Sequence, residues 1–323
     1  MEQRKNRGSE CLPATLGNKS RTMDKQHLLQ EFYRGSVRAL SRLISLVEND
    51  PSGSLDLLSN LNPSKKAAVV GITGPPGSGK STLINAMVNT LLGEGKRVAV
   101  VAVDPSSPFH GGALLGDRIR MQSHFTHPDV YIRSLASRGS LGGLTGTSIE
   151  VVDVLKAFGF DYILIETVGV GQSEVEIASL ADTTLVVLVP EAGDEIQALK
   201  SGLMEIADLF IVNKSDREGA RELAIVLQRM LHDRPPSAWQ IPVIQTIATG
   251  NEQIGEIFAQ IRFHQEAVSG LKRPFLLASR AWQLIASDRM RQVNKDELLK
   301  QVEAAAAHDD FNLYKFVKKY SGR

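Results

Sequence analysis

Residues Gly74-Pro75-Pro76-Gly77-Ser78-Gly79-Lys80-Ser81 carry the spacing G-x-x-x-x-G-K-[ST], directly after an apolar β-rich run and directly before an amphipathic stretch. That pattern is chemistry for a polyphosphate. Successive backbone N–H groups can surround its oxygens only where glycines let the chain approach closely, and the helix that follows presents its positive N-terminal end. Lys80 is expected to bridge the β- and γ-phosphates and Ser81 to bind Mg²⁺. Downstream, Asn213-Lys214-Ser215-Asp216 closes another apolar run. A carboxylate at Asp216 can accept from N1–H and the exocyclic amine of guanine, a pair adenine does not offer, so the wrong base leaves polar groups unmatched. Between the two, Tyr162 to Ile165 delivers Glu166 to a strand end, the edge where open α/β sheets bind ligands. Glu166 is placed to hold Mg²⁺ or its water. Asp104 in Val103-Asp104-Pro105 and Asp117 in Gly116-Asp117-Arg118 can complete the oxygen shell, since Mg²⁺ beside phosphates needs few carboxylates.

Together these residues read as a nucleotide hydrolase acting on GTP. Glycines at 111, 112, 116, 139, 142, 143, 169 and 171 surround the same edge and suit loops that respond to the γ-phosphate. Val170, not glutamine, follows Gly169, and Gln172 comes two places later, so intrinsic hydrolysis is expected to be slow. His124 and His127 lack a flanking Cys or acidic frame and read as surface residues. Trp239 and Trp282 read as packing anchors.

Composition narrows the setting. With 37 basic against 36 acidic residues, no global field favours nucleic acid or an anionic membrane. Cys11 is the only cysteine, which excludes an intrachain disulfide and points to the cytoplasm. No uninterrupted apolar run is long enough to span a bilayer, and the N-terminus lacks the apolar core of a secretory signal. A soluble protein without nucleic-acid or membrane partners is expected.

The elements that must position these residues follow from periodicity. Apolar runs at Ala67–Thr73, Arg97–Val103, Val130–Leu135, Tyr162–Thr167, Thr184–Val189, Leu209–Val212 and Ile241–Ile247 alternate with amphipathic stretches, as in repeated βαβ units. Their near-continuous apolar character fits strands buried on both faces. The expected fold is a three-layer α/β P-loop NTPase with a mostly parallel sheet and helical extensions at both ends. The expected boundaries are a flexible tail at 1–22, an N-terminal helical arm at 23–62, the P-loop GTPase domain at 63–265, and a C-terminal helical extension at 266–323.

Four further stretches are specific: Val103 to Pro108, Gly116 to Met121, Glu166 to Glu174, and Gly202 to Asp208. With the phosphate loop they make the chain resemble the MeaB/ArgK family of P-loop GTPases, chaperones of adenosylcobalamin-dependent mutases, from about Leu40 to Phe263. The resemblance implies phosphate contacts from Gly77 to Thr82, Mg²⁺ coordination around Ser81, Asp104, Asp117 and Glu166, and base recognition by Asn213, Lys214, Asp216 and the backbone N–H of Ala248. It implies a third switch at Ala192 to Lys200 that senses the mutase and contributes Gln197 and Lys200 to activated hydrolysis. It also favours a homodimer, with the C-terminal extension as the candidate dimerisation arm, and a methylmalonyl-CoA-mutase-like partner. Two departures stand out: Ala198 and Ser201 replace a glycine and a lysine of the family's switch, and Ile247 stands where a base-backing serine is usual. The rivals are a P-loop kinase, which needs no guanine reader, and a metal-insertion GTPase, which would need a Cys or His relay.

Overall fold

Each apolar run becomes a strand because its alternate side chains have an apolar layer on either side to enter. The computed structural model describes residues 16–49, 54–62, 67–104, 124–136, 146–167, 177–190, 202–235, 238–268 and most of 293–320, with isolated positions between 278 and 290. The strands are β1 (Ala68–Thr73), β2 (Val98–Asp104), β3 (Val130–Ala136), β4 (Tyr162–Thr167), β5 (Thr183–Leu188), β6 (Leu209–Asn213) and β7 (Val243–Thr246). They form one sheet in the order β3-β2-β4-β1-β5-β6-β7, and every described pair is parallel. The three-layer α/β expectation therefore holds, with the sheet fully parallel where a mostly parallel one was expected.

Neighbouring residues divide between the faces. Val69, Val101, Ile163 and Ile165 enter one core with Leu40, Leu43, Ile44 and Val47 of helix α2 (Val37–Asn49) and with Val151, Val154 and Leu155 of α5 (Gly146–Phe158). Val70, Ile72, Val100, Leu164 and Val187 enter the other with α4 (Lys80–Gly93) and α7 (Ile254–Val268). Beside the first core, Ala220, Ala224 and Leu227 of α6 (Ala220–His232) cover Val186, Phe210 and Val212. Burying a Val, Leu or Ile side chain stabilises by about 1.5–3 kcal/mol, so this two-sided burial dominates the domain's energetics.

The N-terminal helices differ from the expected appended arm. Helix α1 (Leu16–Tyr33) takes in residues 16–22, which the sequence assigned to the tail. It ends at Gly35, whose φ of 84° permits Ser36 N–H to reach Glu31 O and Gly35 N–H to reach Phe32 O, a Schellman ending. Then α2 lies on α5 and on β3: Ser41 Oγ is 3.2 Å from the Tyr131 hydroxyl, and Arg133 pairs with Glu48. These helices form part of one layer of the domain. The short α3 (Leu55–Ser59) follows, with Leu57 in the same core.

Where β5 and β6 begin, α7 is held by a buried polar cluster. His264 Nδ1 lies 2.9 Å from Thr183 Oγ1, and its Nε2 lies 3.2 Å from Asp208 Oδ1. Trp239 donates to the Asp208 carbonyl at 2.8 Å and meets the His264 ring edge-on, so it packs as anticipated.

The chain divides into two compact units, Met1–Lys272 and Arg273–Arg323. The first contains the N-terminal helices, the sheet and the whole of α7, which runs through the expected boundary at 265. The second contains α8 (Lys295–Ala306), capped by the Asn294 side chain accepting from Asp296 N–H and Glu297 N–H, and α9 (Leu313–Tyr320). Neither helix buries a described side chain. Trp282, expected as a packing anchor, is 76% exposed in this unit. No described helix is long and apolar enough to cross a membrane.

Candidate functional site

The phosphate loop leaves β1 at its C-terminal end, between β4 and β5. Gly74 has φ 138°, and a Cβ there would lie 2.1 Å from the carbonyl oxygen of Val187. Gly79 has φ 86°, and a Cβ there would meet Asn213 Nδ2 at 2.4 Å. Glycine is required at both places by conformation and by space. Helix α4 starts immediately after Gly79, so its first N–H groups face the loop.

Lys80 is nearly buried, and its Nζ donates to Gly74 O at 2.7 Å and Pro75 O at 3.0 Å. The ammonium thus lies across the loop's mouth. One residue on, Ser81 Oγ donates to Glu166 Oε1 at 2.7 Å, and both groups are buried. Beneath them Thr167 Oγ1 donates to Thr73 Oγ1 at 2.9 Å, tying β4 to β1. A buried hydroxyl facing a buried carboxylate is a hard-oxygen pair of the kind that suits Mg²⁺, which takes its remaining ligands from phosphate and water. The residues present therefore fit the ion.

The base-reading motif sits at the end of β6. Asn213 is 2% exposed, donates from Nδ2 to Ser78 O at 2.9 Å and accepts at Oδ1 from Ala248 N–H at 3.2 Å. Its amide links the phosphate loop, β6 and the turn after β7. The Ala248 N–H, expected to face the base, is engaged by Asn213 in this structure. Lys214 follows with φ 54°, and Ser215 N–H and Arg217 N–H bond to Thr246 O and Lys214 O, which fixes the turn that carries Asp216. Gly79, Thr82, Asn213, Lys214, Asp216 and Ala248 then converge on one cleft of about 140 Å³. Arg217, Ile247 and Thr249 also line it. Ile247 stands at the base-backing position that the resemblance indicated; Arg217 and Thr249 were not assigned from the sequence, although each adjoins a residue that was. A broader groove of about 590 Å³ is lined by Ile225, Gln228, Arg229, His232 and Asp233, at the C-terminal end of α6 and away from the phosphate loop.

Asp104 ends β2 beside Ala136 of β3, with Ala102 aligned to Glu166, so its backbone reaches the same edge. Its side chain lies outside the described residues, as do Asp117, Gln197, Lys200 and the glycines from 111 to 143 and at 169 and 171.

His124 corrects the expectation of a surface residue. It is 6% exposed, and its Nε2 lies 2.9 Å from Asn85 Oδ1 on α4. Burial, and secondarily the charge of nearby His127, lowers its pKa from the ordinary value. His127 itself is exposed, as expected.

Comparisons with known proteins place the chain in a family. The model of the family described as methylmalonyl Co-A mutase-associated GTPase MeaB matches residues 40–307, further than the expected end near Phe263. A relative from Pyrococcus abyssi is 49% identical over 244 residues, spanning 74% of this chain and 75% of its own. The mouse protein named methylmalonic aciduria type A homolog, mitochondrial, is 36% identical over 288 residues, spanning 80% and 69%. Among solved structures, one described as a LAO/AO transport system kinase superposes with a TM-score of 0.64 at 26% identity, covering 92% of this chain and 96% of the other.

Proposed function

The chain belongs to the MeaB family of methylmalonyl-CoA-mutase-associated GTPases, and on that premise we propose that its GTP hydrolysis gates loading, protection or reactivation of adenosylcobalamin in a B12-dependent acyl-CoA mutase. The observation that carries this reading is the family match across 40–307, which joins the phosphate loop and base cleft to the stretches that set this family apart.

The residues divide the work as follows. The loop from Gly74 to Thr82 receives the phosphates, and Lys80 turns from its carbonyl contacts toward the β- and γ-oxygens. Asp216 and Lys214 take the base in the cleft, while Asn213 keeps that cleft in register with the loop. Ser81 and Glu166, with Asp104 and Asp117, would hold Mg²⁺. When bound, that ion supplies charge neutralisation at the phosphate oxygens. Gln197 and Lys200 complete the hydrolytic site only when the mutase docks, so the intrinsic rate is expected to be slow.

A homodimer is supported by the second unit, where Trp282, Ile285, Met290, Leu299, Leu313, Tyr314 and Val317 are each at least half exposed. A concentration of large exposed apolar groups among the described residues is characteristic of an interface. The cytoplasm is the compartment consistent with the single cysteine.

The test is turnover of Lys200→Ala with and without the mutase. Intrinsic hydrolysis should stay within about twofold and the stimulated rate should fall by roughly 10²-fold, the loss typical of one preorganised charge donor. Undiminished stimulation removes Lys200 from the mechanism.

A further inference from the structure

We infer that this chain reads guanine at N1–H and the exocyclic amine and gives O6 no fixed donor: the backbone N–H of Ala248 is committed to Asn213, and Ile247 offers the base an apolar wall. The inference rests on the proposed reading of the base by Asp216.

Once Asp216 takes N1–H and the amine, O6 is the group left on that edge of guanine, an acceptor that calls for a donor from the protein. Ala248 lines the cleft, and its buried N–H lies 3.2 Å from Asn213 Oδ1. That bond is not readily exchanged. Asn213 is nearly buried, and its Nδ2 donates to Ser78 O at 2.9 Å. With the amide turned over, its NH₂ group would face the Ala248 N–H and its oxygen would face the Ser78 carbonyl, so one orientation serves both neighbours. Drawing the Ala248 N–H to a ligand takes a donor from a buried oxygen, a loss that one neutral contact to O6 at best offsets.

The frame around this bond is firm. Strands β6 and β7 are aligned at Asn213 and Thr246, and the turns that follow them both line the cleft. Ser215 N–H bonds to Thr246 O at 3.1 Å, so the two turns are joined there as well as through Asn213 and Ala248. The committed N–H therefore belongs to the sheet edge itself.

Ile247 lies between these tied positions and is half-buried. Its carbonyl accepts from Gly250 N–H at 2.9 Å and from Glu252 N–H at 3.3 Å, and branching at Cβ restricts its side chain, so the residue is held in place. Of the described residues that line the cleft, Ile247 alone has a large apolar side chain. A flat heterocycle gains from contact with such a wall whichever atom stands at its position 6. The other donors in the cleft are side-chain groups: Lys214 and Arg217 on long stems, and the exposed Thr82 and Thr249. Donors of that kind adjust to an oxygen or a sulfur, whereas a backbone N–H does not move. Position 6 is then selected by shape.

The test is displacement of one fluorescent guanine nucleotide from the full chain by GTP, by 6-thio-GTP and by ITP, at neutral pH where N1–H is retained. In 6-thio-GTP a larger and poorer acceptor replaces O6, while ITP keeps O6 and lacks the amine. 6-Thio-GTP should bind within about threefold of GTP, and ITP roughly tenfold or more weakly, having lost a bond to a carboxylate. Ile247→Ala should weaken GTP and 6-thio-GTP by the same factor, roughly threefold to tenfold, as part of an apolar contact is removed. A melting curve without nucleotide checks that the variant is folded; if it is not, the three nucleotides on the parent chain decide. A 6-thio-GTP affinity more than about threefold below that of GTP, with ITP also weak, would show a fixed donor at O6 and overturn the inference while leaving the role of Asp216 intact. Unchanged GTP affinity in folded Ile247→Ala would overturn the apolar wall. ITP binding as well as GTP would overturn the reading by Asp216, and the inference with it.

Discussion

Lys80→Ala leaves a folded protein with almost no GTP turnover. The ammonium is nearly buried and already lies against Gly74 O and Pro75 O, so it reaches the phosphates by a short swing with little reorganisation. A charge held ready where negative charge builds up in the transition state typically contributes about 3–4 kcal/mol, or roughly 10²–10³ in kcat. GTP affinity should fall as well, because the ground state shares part of the contact. Folding survives because Lys80 opens α4, where alanine is a good helix former, and the core below it is untouched. Lys80→Arg should fail nearly as badly, since a planar fork does not replace a compact point charge in that pocket. Single-turnover hydrolysis with a parallel melting curve checks this. Turnover within about threefold of the parent would mean that Lys80 does not serve the γ-phosphate.

Asp216→Asn exchanges the preferred base. A carboxylate accepts two N–H groups from guanine, and charged hydrogen bonds of this kind contribute about 1.5–3 kcal/mol each. An amide can match only one of the two and turns a donor toward the other. GTP affinity should therefore drop by roughly 10²-fold, while XTP, which presents an oxygen where guanine has its amine, should gain by a similar factor. The turn itself should persist, because it is held by backbone bonds from Ser215 to Thr246 and from Arg217 to Lys214 and not by the carboxylate. Competition of GTP and XTP for one fluorescent guanine nucleotide measures both changes. Retained GTP preference would show that Asp216 does not read the base.

The parts of the site visible in the sequence are those where local chemistry leaves little choice. Gly74 and Gly79 sit at positive φ with a carbonyl or an amide where a Cβ would be, so no other residue fits, and the spacing of the loop follows. The strands were legible because burial on both faces of a parallel sheet demands unbroken apolar runs, and Val69 and Val70 indeed enter opposite cores. Leu28, Phe32, Leu40, Leu43, Ile44 and Val47 fall at helical spacing, and all six are buried, but in two helices separated at Gly35 and not in one continuous helix. The spacing could not indicate what these residues meet, because periodicity records burial and not the partner. For that reason the N-terminal helices read as an arm although they complete a layer against α5.

Asn213 shows the same limit within the site. Its type and position identified the motif, yet its amide joins Ser78 to Ala248 across parts of the chain that no local spacing relates. His124 had no local signal at all, since Gln122-Ser123-His124-Phe125 has no period and no metal-like frame. It is buried where the turn before β3 meets Asn85 on α4. Trp282 failed in the opposite sense: a large aromatic predicts apolar contact, and within its own unit it is open to solvent.

The proposed function makes hydrolysis by this chain subject to a cobalamin-dependent mutase. The direct measurement is GTP turnover by the parent chain, with Mg²⁺ present, alone and then with a saturating adenosylcobalamin-dependent acyl-CoA mutase. A slow intrinsic rate that rises by at least roughly tenfold is the predicted result, in keeping with GTPases whose catalytic site a partner completes. A rate that is the same with and without the mutase would contradict the account.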